Sequence, residues 1–158
     1  MISDRALKIR PILAEDASAL SEWLGRQSSG YRADFHPFSD ESERGIRQLL
    51  ASVRKDCYRV VLFQEDWVGF FMLRGWDAGY ERPSLGLMVD EGHAGKGLGT
   101  LCLQAAMTEC RLMGISSCML KVAPENRRAR GIYEKAGFIF ESVCPTKGHE
   151  ILSIRWGS

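Results

Sequence analysis

Long hydrophobic runs are missing from this chain: no segment approaches the roughly 18 consecutive apolar residues that a membrane-crossing helix requires, so no membrane partner is expected. An excess of one charge sign is missing as well. Lys and Arg total 21 against 20 for Asp and Glu, which removes the global attraction that nucleic-acid and anionic-membrane binders carry, and no nucleic-acid partner is expected. Histidine is scarce, and His36, His93 and His149 lie far apart with no closely spaced ligand pair. The cysteines, Cys57, Cys102, Cys110, Cys118 and Cys144, are odd in number and form no CxxC, so neither a complete disulfide framework nor a zinc ribbon is written here. No metal is expected, and buried free thiols are the simplest reading. The opening MISDRALKIR is too charged for a secretory signal. A soluble, cytoplasmic protein is the expectation.

What is present suits one domain over residues 1–158: the chain is 45% hydrophobic and has no repeat, low-complexity tract or linker. Short strands alternate with amphipathic helices, the pattern of an α/β layer architecture. Leu7-Lys8-Ile9-Arg10 reads as a half-buried strand that Pro11 discourages from the sheet interior. Ala17, Leu20 and Leu24 form one helical face, ended by Gly25 or the Ser28-Ser29-Gly30 cluster. Ile46, Leu49, Leu50 and Val53 form another, with Asp40 and Glu43 spaced like a capping box. Segments 58–64 and 67–73 flank Glu65-Asp66 as a hairpin. A strand at 84–89, a helix of about 14 residues, a strand at 117–122, a helix from about Asn126 and strands near 138–143 and 150–156 follow.

Gly95, Gly97 and Gly99 alternate between the strand at 84–89 and the next helix. Such a turn presents successive backbone N–H groups at a helix N-terminus, where unpaired donors and the helix dipole favour a phosphate. It fits neither GxGxxG, which needs glycine where Thr100 or Cys102 stands, nor Walker A, which needs Ser or Thr where Gly97 stands. The chemistry of the turn is therefore decided by a second constellation, Asn126-Arg-Arg-Ala129-Arg-Gly-Ile-Tyr133-Glu-Lys-Ala-Gly137-Phe138.

Together, the glycine turn and N-x-x-A-x-x-x-Y-x-x-x-G-F, some 30 residues apart, resemble the GNAT superfamily of acetyl-CoA-dependent N-acetyltransferases; the match covers about residues 84–156. The resemblance implies an α/β (α+β) fold with a mixed, mostly antiparallel sheet of six or seven strands and about four helices, splayed between 84–89 and 117–122. It implies that the cofactor's pantetheine arm lies in the splay against main-chain groups of Leu87, Met88 and Val89. The backbone of Ala94, Gly95, Lys96, Gly97, Leu98, Gly99 and Thr100 would hold its pyrophosphate, with Asn126 and Ala129 beside the arm. Tyr133 would protonate the departing thiolate during direct attack of an amine. Asn126 is equally a good helix N-cap, and Tyr133 lies two helical turns on, on the same face.

Two departures from the family's pattern stand out. Ala94 replaces the usual Arg or Gln at the start of the turn, leaving Lys96 or Arg128 to supply charge. The usual acidic positions hold Ser84 and Lys121, so the general base is sought among Glu81, first, with His36 and Asp77. Acceptor contacts are expected from Phe35, His36, Trp76, Asp77 and Tyr80, their aromatic character suiting a compact primary amine of a metabolite or amino sugar. Two alternatives are a non-catalytic acyl-CoA sensor and a protein N-terminal or lysine acetyltransferase. Lys121, where the ribosomal-protein alanine acetyltransferases usually carry Glu, argues against identity with those enzymes. A homodimer through C-terminal strands is a further expectation, with Ile151, Ile154 and Trp156 as an apolar edge.

Overall fold

Val60, Leu62, Phe70 and Met72 are buried on one side of two neighbouring strands, and Val61, Phe71 and Leu73 on the other. Strands apolar on both faces have to be covered on both faces, and helices supply the cover. In the computed structural model, which describes residues 5–33, 35–146 and 148–157, the elements run β1 (Leu7–Pro11), α1 (Ala17–Arg26), α2 (Glu43–Ser52), β2 (Cys57–Phe63), β3 (Asp66–Arg74), β4 (Ser84–Val89), α3 (Leu98–Leu112), β5 (Ser117–Val122), α4 (Arg127–Lys135), β6 (Ile139–Val143) and β7 (Glu150–Arg155).

The strands form one seven-stranded sheet in the order β1-β2-β3-β4-β5-β7-β6. Every neighbouring pair is antiparallel except β4 with β5, which gives the mixed, mostly antiparallel sheet expected. On one face α1 and α2 pack Leu20, Trp23 and Ile46 against Val60, Phe70, Met72 and Met88. On the other, α3 packs Leu103, Ala106 and Met107 against Phe71, Leu73, Leu85, Cys118 and Leu120. The five cysteines are free and buried.

The splay is explicit in the register. β3 and β4 pair continuously from Arg74–Ser84 to Gly69–Val89, but β4 and β5 meet only at Ser84 and Met119, where the Met119 N–H donates to the Pro83 carbonyl at 3.0 Å. Beyond that rung the strands part.

Several local expectations need correction. Ser42, not Asp40, caps α2, its hydroxyl accepting from the Gly45 N–H at 3.1 Å; Asp40 instead accepts from the Ser42 N–H. The β2–β3 turn is Gln64-Glu65, both at positive φ, because that left-handed pair matches strand twist; Asp66 already belongs to β3. α1 runs through Gly25 to Arg26 and ends at an extended Gln27. β7 lies between β5 and β6, so Ile151, Ile154 and Trp156 form no sheet edge. The edge is β6, which exposes Ile139, Phe140 and Val143.

Candidate active site

An open cleft of about 1460 Å³ follows the splay from the glycine turn to the start of β4. At one end, Gly95 and Gly97 adopt positive φ, 81° and 86°, a conformation that side-chain-bearing residues rarely take. α3 starts at Leu98 with Gly97 at its N-cap, so Leu98, Gly99 and Thr100 belong to the first helical turn. The first backbone bond here runs from the Leu101 N–H to the Gly97 carbonyl at 3.0 Å. The N–H groups of Gly95 to Thr100 have no acceptor among the described residues, the donor set an anion needs. The Ala94 N–H differs, donating to the Glu91 carbonyl at 3.4 Å. The Arg128 guanidinium lies 3.8 Å from where a Cβ on Gly95 would stand. It lines the cleft with Arg127, whereas the exposed Lys96 does not.

The turn is held from behind by a polar cluster that sequence reasoning missed. The Asp90 carboxylate accepts from Trp23 Nε1 at 3.0 Å and Gln27 Nε2 at 2.9 Å and contacts His93 Nδ1 at 2.7 Å. Gln27 Oε1 in turn accepts the Glu91 N–H, and Glu91 accepts from the Ser28 N–H and hydroxyl. Burial pushes the Asp90 carboxyl up, but hydrogen bonds from Gln27, His93 and Trp23 outweigh it and hold it below the ordinary aspartate range. The four-residue spacing of Trp23, on α1, and Gln27, at its C-cap, is the only sequence signal of this contact.

Along β4, antiparallel pairing turns alternate residues to opposite edges. The Asp90 N–H donates to the Val68 carbonyl at 2.8 Å, so by parity Met88 also turns its backbone groups to β3. Met88 O indeed lies 3.1 Å from where a Cβ on Gly69 would stand. Leu87 and Val89 then aim theirs into the gap, and the Tyr31 hydroxyl already donates to the Val89 carbonyl at 2.6 Å. Met88 contributes its side chain to the α1–α2 core rather than main-chain groups to the gap.

Across the gap, Asn126 caps α4, its Oδ1 accepting from the Ala129 N–H at 3.3 Å. Asn126, Ala129 and Tyr133 all line the cleft. The Tyr133 ring packs against Phe138 with centroids 6.3 Å apart, and its hydroxyl makes no hydrogen bond among the described residues. Burial pushes its pKa up to about 12. The chain turns away at Gly137, φ 107°, where Phe138 N–H bonds back to the Tyr133 carbonyl. Beneath the gap the Cys102 thiol is likewise pushed up to about 12 by burial.

At the other end, Phe35, His36 and Tyr80 line the cleft; Trp76, Asp77 and Glu81 do not. Asp77 accepts from the N–H groups of Arg54, Lys55 and Asp56, and those bonds hold its carboxyl low, the Arg54 one most strongly. Trp76 Nε1 donates to the Glu81 carbonyl at 3.0 Å, closing the β3–β4 loop and leaving Glu81 exposed. Residues not predicted take their place, among them Arg74, Tyr58 and Ser84.

The chain matches the acetyltransferase (GNAT) family over residues 18–138. No curated protein matches it by sequence. Its structure resembles PaiA N-acetyltransferase from Thermoplasma acidophilum in complex with coenzyme A, with TM-score 0.79 and 18% identity over 96% of this chain and 99% of that one. It also resembles the ribosomal-protein-S5-alanine acetyltransferase from Vibrio fischeri, at TM-score 0.77 and 16% identity over 94% and 92% of the two chains. Aminoglycoside acetyltransferase AAC(6')-Ib in complex with coenzyme A superposes at TM-score 0.72 and 20% identity over 95% of each chain. The acceptors in those names, a ribosomal protein and an aminoglycoside, differ, so the likeness carries the fold and leaves the acceptor undetermined. The glycine turn, the splay and the family match agree on one conclusion: this chain belongs to the GNAT family of acetyltransferases.

Proposed function

We propose that the protein acetylates a primary amine of a small molecule by direct attack within a ternary complex. Acetyl-CoA supplies an activated thioester carbonyl. The N–H groups of Gly95 to Thr100, with Arg127 and Arg128 nearby, are the residues that fit its phosphates. The Leu87 and Val89 N–H groups, aimed into the gap, bind the arm and stabilise the oxygen on which charge develops.

The observation that carries the reading is Tyr133, half-buried with its hydroxyl unengaged at the cleft wall. Against a thiol of pKa near 8.5, full proton transfer from a phenol at about 12 is uphill by about 5 kcal/mol. Tyr133 therefore acts as a hydrogen-bond donor whose bond strengthens as charge reaches the leaving sulfur, not as a proton delivered in advance. Cys102, held as a neutral thiol by burial, is a poor nucleophile, which favours direct attack over a covalent relay. Of the three base candidates His36 lines the cleft, so we assign it proton removal from the amine, directly or through water.

The test is thermal unfolding with acetyl-CoA, CoA, ATP and NAD side by side. Ligand at 100 times its Kd stabilises a two-state protein by about 2.7 kcal/mol, roughly 5 to 10 °C for a chain of this size. The expected result is a rise with acetyl-CoA and CoA alone. No rise at saturating acetyl-CoA would overturn the reading.

A further inference from the structure

We propose that the acceptor is zwitterionic: a small primary amine that also carries a carboxylate or similar anion, held by Arg74 and Lys121 at the end of the cleft remote from the glycine turn. The proposal rests on the acetyl-transfer reading above and adds the class of acceptor.

Strand parity brings the two cations together. Arg74 ends β3 on the face that carries Phe70 and Met72 and stands opposite Ser84. Ser84 pairs in turn with Met119, and Lys121 follows Met119 on the same face of β5. All four line the cleft, so Arg74 and Lys121 flank its closed end from the two halves of the sheet.

The local charge is unbalanced. Arg74 is half-buried. Its guanidinium donates to the Pro37 carbonyl and lies near the Tyr58 hydroxyl, and it has no carboxylate partner among the described residues. Lys121 has none either. Arg82, in contrast, is neutralised by a two-pronged pair with Glu141 at 2.7 and 2.9 Å. The carboxylate that lines this end, Asp56, is turned to the N–H groups of Gly75 and Asp77, which its Oδ1 accepts at 3.1 Å each, and makes no ion pair with Arg74 or Lys121. A partly buried guanidinium without a counter-charge is costly to leave so, and its planar fork matches a carboxylate or phosphonate.

The cosubstrate's phosphates cannot serve as that counter-charge. Ser84 lies five residues of extended strand, about 17 Å, from Val89 and the glycine turn, where Arg127 and Arg128 already stand. An acceptor whose anion sits at Arg74 and Lys121 points its amine back along β4 toward Leu87 and Tyr133, the direction attack requires. Asp77 and Glu81, the acidic candidates expected here, do not line the cleft.

The experiment offers primary amines as matched pairs, each amino acid or aminophosphonic acid beside the amine that lacks its anion. CoA release from acetyl-CoA is read in one arm, and thermal unfolding of the CoA-loaded protein in the other. We expect the anionic member of at least one pair to exceed its partner tenfold or more in kcat/KM and to raise Tm where its partner does not. Lys121→Ala, an exposed position, should raise the acceptor KM tenfold or more while leaving the acetyl-CoA Kd unchanged. Arg74→Lys, which keeps charge but loses the fork, should do so less, and Lys121→Glu should invert the preference within the pair. Anion-free amines equal or superior in both arms, no Tm rise with any anionic member, or a preference that survives both Lys121→Ala and Arg74→Lys would overturn the proposal. So would turnover confined to peptide N-termini or polycationic aminoglycosides, which leaves acetyl transfer standing. Failure of acetyl-CoA itself to stabilise the protein would instead overturn the reading beneath it.

Discussion

At its Val89 end β4 leads into a turn whose ligand-facing groups are backbone N–H donors, whereas at its Ser84 end the cleft is lined by side chains drawn from β2, β3, β5 and two loops. The first end needs only glycines in a row and a helix behind them, so most side chains there are free to vary. The second depends on which charges the fold gathers, and there a single substitution rewrites recognition. A site that accepts one cosubstrate and many acceptors across a family is expected to divide its labour this way.

The largest expected effect lies between the two ends. Tyr133→Phe should lower kcat by about 10²-fold or more, the range for loss of a general acid, with the Kd of acetyl-CoA and of acceptor nearly unchanged. Stopped assays with the true amine, alongside equilibrium binding, check it. Equal turnover would remove Tyr133 from the acid role.

Gly97→Val should break the Val89 end alone. A β-branched residue at φ 86° costs about 1–3 kcal/mol of backbone strain, and relief of that strain moves the N–H donors. Acetyl-CoA Kd, by calorimetry, should rise tenfold or more, while acceptor specificity at the Ser84 end, read from relative kcat/KM, is retained.

Asp90→Asn tests whether the turn is held from behind. Because the folded Asp90 carboxyl lies below its unfolded value, its contribution to stability is complete above the ordinary aspartate pKa near 3.9 and disappears as pH falls through the lower folded value. Denaturant titrations should therefore show the variant less stable by about 1–2 kcal/mol at pH 7, with the deficit closing as pH falls below the ordinary aspartate range. A deficit independent of pH would assign the loss to packing.

The smallest effect sharpens the comparison. Ala94→Arg should tighten acetyl-CoA binding a few-fold, an effect that fades as salt is raised, and leave acceptor KM unmoved.

How much of this was legible beforehand follows the same division. The glycine turn, the Asn126 cap, Tyr133 two turns later and the Gly137 exit are set by short-range spacing, and all stand where the spacing puts them. The pairing of Arg74 with Lys121 across Ser84 arises from the order β3-β4-β5, which joins residues 47 positions apart through a strand in between, and no local pattern encodes it. Lys121 reads in the sequence as a missing acid, and its place on the cleft wall beside Arg74 follows from the strand order alone. The supposed β7 edge failed for a related reason: its alternation shows that it is half-buried, but not that β6 folds back outside it. Gln64-Glu65 escaped notice because left-handed turn pairs usually announce themselves with Asn or Gly. Asp77 and Glu81 are acidic residues of the β3–β4 loop, but the Trp76–Glu81 hydrogen bond curls that loop onto itself and neither lines the cleft.

The lone rung between β4 and β5 also bears on how the molecule comes apart. β1 to β4 and β5 to β7 are two cooperative blocks, each laddered within itself, and α3 is the packing element common to both. Their mutual stability rests on that helix rather than on backbone bonding. A ligand lodged between the blocks adds a further tie, so saturation with acetyl-CoA should sharpen the unfolding transition as well as move its midpoint, merging two units that the free chain joins through α3, the single rung and the Arg82–Glu141 pair.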